Sequence, residues 1–274
     1  MRPKNFGKNR RPEPQKNRGK PEKKASPERA QPPHRATVGA QWLYGLHAVQ
    51  AALANPRRKL GRAALTPRAI ETLGSKLLSR VRVETLEPGA IDRLPPPGAV
   101  HQGAALEAWP LKSRDLDEIL EEPNPAGRRV VLVLDQLSDP HNVGAILRTA
   151  AAFGVTAVVV QDRNGPPQSG ALAKAASGAL DQIPYVEVVN ISRTLDQLAE
   201  RGFWRIALAG DGEQSLTEAV PPGDVALVLG SEGSGIRRLV REHCEASAFI
   251  PISRTVESLN VSNAAAIALY ELRR

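Results

Sequence analysis

The chain has 274 residues, with 37 Lys+Arg against 29 Asp+Glu, one cysteine and 41% hydrophobic residues. That length suits one large or two modest domains, and the apolar fraction is far above that of a wholly disordered chain. The single Cys244 excludes an intramolecular disulfide framework and any CxxC metal cluster, which fits a reducing compartment. No apolar run approaches the ~20 residues needed to cross a bilayer. The basic N-terminus lacks the apolar core of a secretory signal, and its prolines and acids spoil a transit-peptide helix. A soluble, cytoplasmic protein with no membrane partner is expected.

The charge is unevenly placed. Residues 1–37 carry 12 Lys/Arg and 3 Asp/Glu, net +9, while the remaining residues carry 25 and 26, net −1. With seven prolines and one aromatic residue, Phe6, this stretch cannot bury enough apolar surface to offset its ordering entropy. A disordered basic tail is expected over residues 1–40. It suits polyphosphate through counterion release but cannot read bases, and a merely solubilising role stays open.

Structure is expected from Gln41. Leu43, Leu46, Val49, Ala52 and Leu53 recur at helical spacing, and Asn55-Pro56 ends the run. A short strand at Ala63–Leu65 follows, then a helix opened by Thr66-Pro67 and closing near Ser79. Strands at Val81–Val83 and Val100–Trp109 complete a small α/β domain over residues 41–112. A polar helix at Ser113–Glu122 and the break at Pro123–Gly127 make a linker over 113–127. From residue 128 to 274 the pattern is β/α alternation, with apolar runs at Val130–Leu134, Ala157–Val160, Ile183–Val189, Trp204–Ala209, Val225–Leu229 and Ala248–Ile252. Continuous Val/Ile/Leu runs predict strands buried on both faces, hence a largely parallel sheet flanked by helices.

Ligands of open parallel sheets bind at the carboxyl ends of the strands, and three strand ends here are unusual. After Leu134, a polar turn enters a helix near Asn142 that contains one charge before Val160, Arg148. An arginine in so apolar a helix is expected to be paired, structurally or by a phosphate or reacting oxygen. After Leu229 come Gly230, Gly233 and Gly235. That GxxGxG spacing matches neither the dinucleotide fingerprint nor the P-loop, and Ile250 stands where a ribose-binding acid would be wanted. After Ile250-Pro251, a polar loop with Ser258, Asn260, Ser262 and Asn263 enters an Ala-rich helix, with more capping side chains than one helix start needs. His47, His101, His141 and His243 show no ligand spacing, so no metal is expected, and Cys244 reads as core.

Taken in order, Asn142-x-Gly144-x-x-x-Arg148, Leu229-Gly230-x-Glu232-Gly233-x-Gly235 and Ile250-Pro251 followed by Ser258–Ser262 resemble the three motifs of the SpoU/TrmH family of SPOUT RNA methyltransferases. Trp42–Val49, His101-Gln102-Gly103 and Arg241–Cys244 are similar to a subgroup that carries a small N-terminal RNA-binding domain. The resemblance implies a parallel sheet whose C-terminal segment forms a trefoil knot, a homodimer with active sites at the subunit interface, and S-adenosylmethionine as cofactor. It implies 2′-O-ribose methylation of RNA, the subgroup pointing to a guanosine of 23S ribosomal RNA. The same reaction on transfer RNA, or a non-catalytic RNA-binding or ribosome-assembly role, are the alternatives. By the same resemblance, Arg148, Asn142, Glu232, Ser258 and Asn260 are the catalytic residues, and Gly230, Ile250, Leu259, Gly210, Leu229, Gly233, Pro251 and Val261 hold the cofactor. A neutral arginine is an expensive general base, since its pKa exceeds ~12; Arg148 is therefore expected to fix a phosphate and stabilise a developing alkoxide. Glu232 is a second candidate base, or an acceptor of backbone N–H groups in its own glycine turn.

Overall fold

A computed structural model describes residues 36–124, 127–253 and 255–274; nearly all of the basic tail, through residue 35, lies outside the described residues. The first elements are β1 (Gln41–Tyr44), α1 (Leu46–Ala54), β2 (Leu60–Leu65), α2 (Pro67–Leu78), β3 (Arg82–Thr85), α3 (Pro88–Ile91) and β4 (Ala104–Ala108). They form a four-stranded sheet in the order β1-β4-β2-β3, with β4 antiparallel to both neighbours and β2 parallel to β3. Thr66 caps α2 as expected, its side chain accepting from the N–H of Ala69. Leu43 departs from expectation. It belongs to β1, and Gly45, at φ +92°, turns the chain into α1, so the strand's Leu43 mimics helical spacing with Leu46.

The remaining elements are α4 (Leu116–Glu121), β5 (Val130–Asp135), α5 (Pro140–Ala152), β6 (Ala157–Gln161), α6 (Gly170–Ala175), a 3₁₀ turn (Ala179–Asp181), β7 (Tyr185–Val188), α7 (Ile191–Glu200), β8 (Trp204–Leu208), β9 (Gln214–Ser215), α8 (Leu216–Ala219), β10 (Val225–Gly230), α9 (Arg238–Arg241), β11 (Ala246–Phe249) and α10 (Val261–Arg273). Their seven strands, in the order β7-β6-β5-β10-β8-β11-β9, are all parallel. Alternate residues divide between two cores, as the two-residue period of a strand requires. Leu132, Leu134, Val158, Leu227 and Leu229 face one side with α5, α6 and α10; Val131, Val133, Val159, Ala226 and Val228 face the other with α4 and α7. β9, two residues long, has no apolar run by which it could be anticipated. Helix α5 starts at Pro140 and is capped by Asp139, whose carboxylate accepts from the N–H groups of His141 and Asn142. Asn142 is therefore inside the first turn, its side chain released from the cap.

The first core runs on without a break into the small sheet, taking in Leu43, Leu53, Leu65 and Leu106. Polar contacts reinforce this junction. Arg58, in the loop after α1, donates from Nε and Nη2 to the two carboxylate oxygens of Asp181, each at 2.8 Å, with side-chain exposures of 0% and 2%. Asn55 donates to the same carboxylate at 3.0 Å, and the Gln168 amide bonds both the N–H and the carbonyl of Leu111. At Gly170 a Cβ would stand 2.2 Å from the Trp42 carbonyl oxygen, so only glycine permits this approach. At the far end of the chain Arg273 donates to the carbonyls of Phe153, Gly154 and Arg128, while Arg128 returns a bond to Leu272.

Breaking the buried Arg58–Asp181 pair from one side strands a charge. Asp181→Asn is expected to cost about 3 kcal/mol in urea unfolding, and the paired change Arg58→Met with Asp181→Leu is expected to recover most of that loss.

Candidate active site

The strand order reverses between β5 and β10: from β5 the chain builds outward through β6 and β7, then crosses to the other side. The crevice beyond the carboxyl ends at such a point is where open α/β sheets bind ligands. The first two unusual loops leave the sheet here, after β5 and β10; the third leaves β11, beyond β8, and returns to the same crevice. Asp135 and Gly230 end β5 and β10 as direct register partners.

Asp135 is fully buried and is held by Arg237, which lies just past the glycine turn. Its carboxylate accepts from the Arg237 backbone N–H at 2.8 Å and from Nε at 2.8 Å, with Nη2 at 2.6 Å. This ion pair fastens the first loop to the second. The second loop folds tightly on itself. Ser231 and Gly235 exchange both backbone hydrogen bonds, and a Cβ at Gly230 would lie 2.1 Å from the Gly235 carbonyl carbon. Gly235 adopts φ +66°. The third loop ends at Asn260, whose Oδ1 caps α10 by accepting from the Ser262 N–H at 3.0 Å.

That cap also fixes which way the Asn260 amide faces. Its Nδ2 donates to Asn142 Oδ1 at 3.0 Å and to Glu232 Oε1. Asn142 in turn donates from Nδ2 to Glu232 Oε1 at 3.2 Å. One residue from each loop thus meets the other two. Glu232 takes its hydrogen bonds from these two amides rather than from its own glycine turn, so that alternative is set aside.

Beside this junction lies a cleft of about 710 Å³, within the range of small-molecule sites. Gly210, Leu229, Gly230, Gly233, Ile250, Pro251, Leu259 and Val261 all line it, together with Glu232 and Ser258. Walls of Leu208, Phe249 and Leu259 are apolar. At Gly210 and Gly233 a Cβ would meet nothing within 4 Å, so bare backbone faces the space. A flat apolar ring between such walls, with backbone groups at its edges, fits a nucleoside-sized cofactor. Asp211 and Arg241 also line the cleft and were not anticipated; the acid directly after Gly210 at a strand end was the available signal. Asp135 was missed for a similar reason, although a lone acid closing an all-apolar strand is a visible mark.

Arg148 departs from expectation. It is exposed, and among the described residues its side chain makes no hydrogen bond or ion pair. Six residues beyond Asn142 it lies about 9 Å further along α5 and a third of a turn around it, on the face that the neighbouring helices leave open. The apolar composition of α5 belongs to its other faces, where Val143, Ile146, Leu147 and Ala150 are buried. Gly144 is a packing residue, since a Cβ there would stand 2.4 Å from that of Ala175 in α6. Cys244 is half-buried against the second core and burial pushes its thiol up to about 12, which leaves no thiolate for nucleophilic work near neutrality.

Residues 129–270 match the SpoU rRNA Methylase family, a span of more than half of the chain. The chain belongs to the SpoU rRNA methylase family. Its relatives include the 23S rRNA (guanosine-2′-O-)-methyltransferase RlmB of Xylella fastidiosa, 37% identical over 244 residues that cover 85% of this chain and 96% of the relative. The RlmB of Pseudomonas putida is 38% identical over 240 residues, covering 85% and 95%. Among solved structures, a TrmH-family RNA methyltransferase from Porphyromonas gingivalis superposes with a TM-score of 0.68 at 30% identity, covering 86% of this chain and 90% of that one. The SpoU methyltransferase AviRb of Streptomyces viridochromogenes, in complex with AdoMet, shares the fold with a TM-score of 0.73 at 20% identity, covering 86% and 90%.

Removing the Arg237 side chain leaves Asp135 buried without its partner. Arg237→Ala is expected to cost about 3 kcal/mol in chemical unfolding, and the three loops are expected to become the fastest-exchanging amides of the sheet end by hydrogen–deuterium exchange.

Proposed function

We propose that this protein methylates the ribose 2′-OH of an RNA nucleotide, a guanosine of 23S ribosomal RNA, with S-adenosylmethionine as cofactor. The observation that carries this reading is the meeting of Asn142, Glu232 and Asn260 at the rim of a nucleoside-sized cleft in a chain of this family. The alignment of RlmB sequences over nearly their whole length supports the ribosomal substrate over a transfer RNA.

The cofactor, bound along Gly210, Leu229, Gly230, Gly233, Ile250, Pro251, Leu259 and Val261, supplies the electrophilic methyl group. The protein must then orient the hydroxyl and manage its proton. Glu232 Oε1 is occupied by two amides, which hold the carboxylate still and leave Oε2 to the hydroxyl. Asn142 and Asn260 act as positioning residues for that carboxylate, and Ser258 lines the rim beside it. Arg148 is read as the phosphate ligand, neutralising the backbone next to the reacting ribose and stabilising the alkoxide as it develops. Two acceptors for the proton follow, Glu232 Oε2 and the phosphate oxygen held by Arg148.

A homodimer belongs to the same reading. Helix α10 packs on α5, and its outer side carries Ile267 and Tyr270, 44% and 61% exposed. A second copy seated on this face covers them and gives the unpartnered Arg148 a site to complete. The trefoil knot is part of the reading too, supported by β10 lying between β5 and β8 while the segment after β11 returns to Asn142. Residues 41–112 are read as the RNA-binding domain, with Lys59 4.3 Å from the Trp109 ring and Arg62 5.5 Å from that of Trp42, and the basic tail as a phosphate-binding arm. A ribosomal RNA substrate supports a cytoplasmic location. Among the described residues no helix is long and apolar enough to cross a membrane.

The test is transfer of labelled methyl to naked 23S RNA and, separately, to bulk transfer RNA. Label is expected in 23S RNA as a 2′-O-methylguanosine. Arg148→Ala is expected to lower transfer by at least about 100-fold while S-adenosylhomocysteine binds unchanged, and label confined to transfer RNA would overturn the substrate. For the dimer, Tyr270→Glu is expected to shift sedimentation toward the monomer and to abolish transfer together with dimerisation.

A further inference from the structure

The cleft contains one ion pair that the reacting junction does not use. Arg241, at the end of α9, donates from Nη1 to Asp211 Oδ2 at 2.8 Å and Oδ1 at 3.0 Å, and from Nη2 to the Asp211 carbonyl at 3.3 Å. Both residues line the cleft, yet the Asp211 side chain stays 74% exposed. A surface pair of this kind contributes little to stability, so its geometry calls for another explanation. The backbone beneath it is tightly placed. Gly212 approaches β11 so closely that a Cβ would lie 2.4 Å from the Ala248 carbonyl carbon, and the Glu213 N–H is bonded to Ser247. The Asp211 carboxylate is therefore fixed at both ends, by its own backbone and by Arg241. An ionised carboxylate offers about four lone-pair positions, and the guanidinium occupies only two. The Arg241 guanidinium also holds the Asp211 carboxyl below the ordinary carboxylate range.

Position decides what it can receive. The Asn142–Glu232–Asn260 junction sits at the ends of β5 and β10, and Asp211 follows the end of β8, the next strand across. Adjacent strands lie about 5 Å apart. In a nucleoside whose sulfur is bonded to the ribose 5′ carbon, the 2′ and 3′ hydroxyls stand about that far from the reacting methyl. A rigid carboxylate with free lone pairs is the acceptor that a vicinal diol requires. We infer that Asp211 accepts the ribose hydroxyls of the cofactor, with Arg241 as the positioning residue that holds it. This rests on the cofactor reading above and adds a specificity-determining contact to it.

Calorimetry on the full chain tests it, with S-adenosylhomocysteine and its 2′-deoxy and 3′-deoxy analogues as probes. The wild-type protein is expected to bind the deoxy analogue that loses the contact about tenfold more weakly than the parent. Asp211→Ala is expected to bind the parent about tenfold more weakly and to lose that discrimination, and Arg241→Gln to reduce it in part. Equal weakening of parent and analogues by Asp211→Ala, or no weakening, overturns the inference and leaves the cofactor reading intact. A wild-type protein that binds none of the three overturns the cofactor reading, and the inference with it. Thermal unfolding of each variant identifies any that fails to fold, and Asp211→Asn then replaces Asp211→Ala.

Discussion

The ion pair between Asp135 and Arg237 is the constraint on which the site depends. Asp135 has no exposure at all, and an ionised carboxylate in that position is tolerable only with a guanidinium and a backbone N–H bonded to it. Because those partners come from the far side of the glycine turn, satisfying the charge forces the turn to close over the end of β5. Glu232 is then carried to Asn142, and the cap of α10 brings Asn260 to both. Three loops whose meeting residues span 118 positions of the chain reach a common point, the first two drawn together by one buried charge and the third by a helix cap.

The small sheet obeys a similar logic at larger scale. Its core is continuous with that of the large sheet, and the Arg58–Asp181 pair locks the junction with almost no solvent access. A buried ion pair adds little net stability over an apolar contact but penalises every arrangement that separates its members. The residues around β1 and β4 are thus held at a set distance and orientation from the crevice. On the proposed reading of residues 41–112 as an RNA-binding domain, such rigidity would let one surface gauge the shape of the substrate while another performs the chemistry.

Much of this was legible in the residues. Continuous apolar runs marked six of the seven parallel strands, because strands buried on both faces leave no polar alternation to confuse the reading. The three loops declared themselves by composition, and one residue of each, Asn142, Glu232 and Asn260, meets the other two, a mutual contact that no motif spelled out. What escaped notice depends on side-chain partners distant in sequence. Asp139 caps α5, three residues before Asn142, near which the helix was expected to start, and either residue type suits a cap. Leu43 sits at helical spacing from Leu46 but on the other side of a positive-φ glycine. Arg148 was expected to be paired on the strength of its apolar neighbours, yet a helix has several faces, and its own is the open one. Arg58 finds Asp181 across 123 residues, a pairing that no local pattern encodes.

The crevice also has a history in time. It needs Asn142 from near the middle of the chain, Glu232 from well beyond it, and Asn260 anchored by the first turn of α10. The clasp between Arg273, Arg128 and the end of α5 closes later still. A chain emerging from the ribosome can complete the small sheet and the β5–β7 half of the large one while it is still tethered, as domains generally fold in order of synthesis. The cofactor cleft cannot exist until Asn260 has emerged. The cleft is therefore set by the last of its three loops to be made, however early the other two are in place.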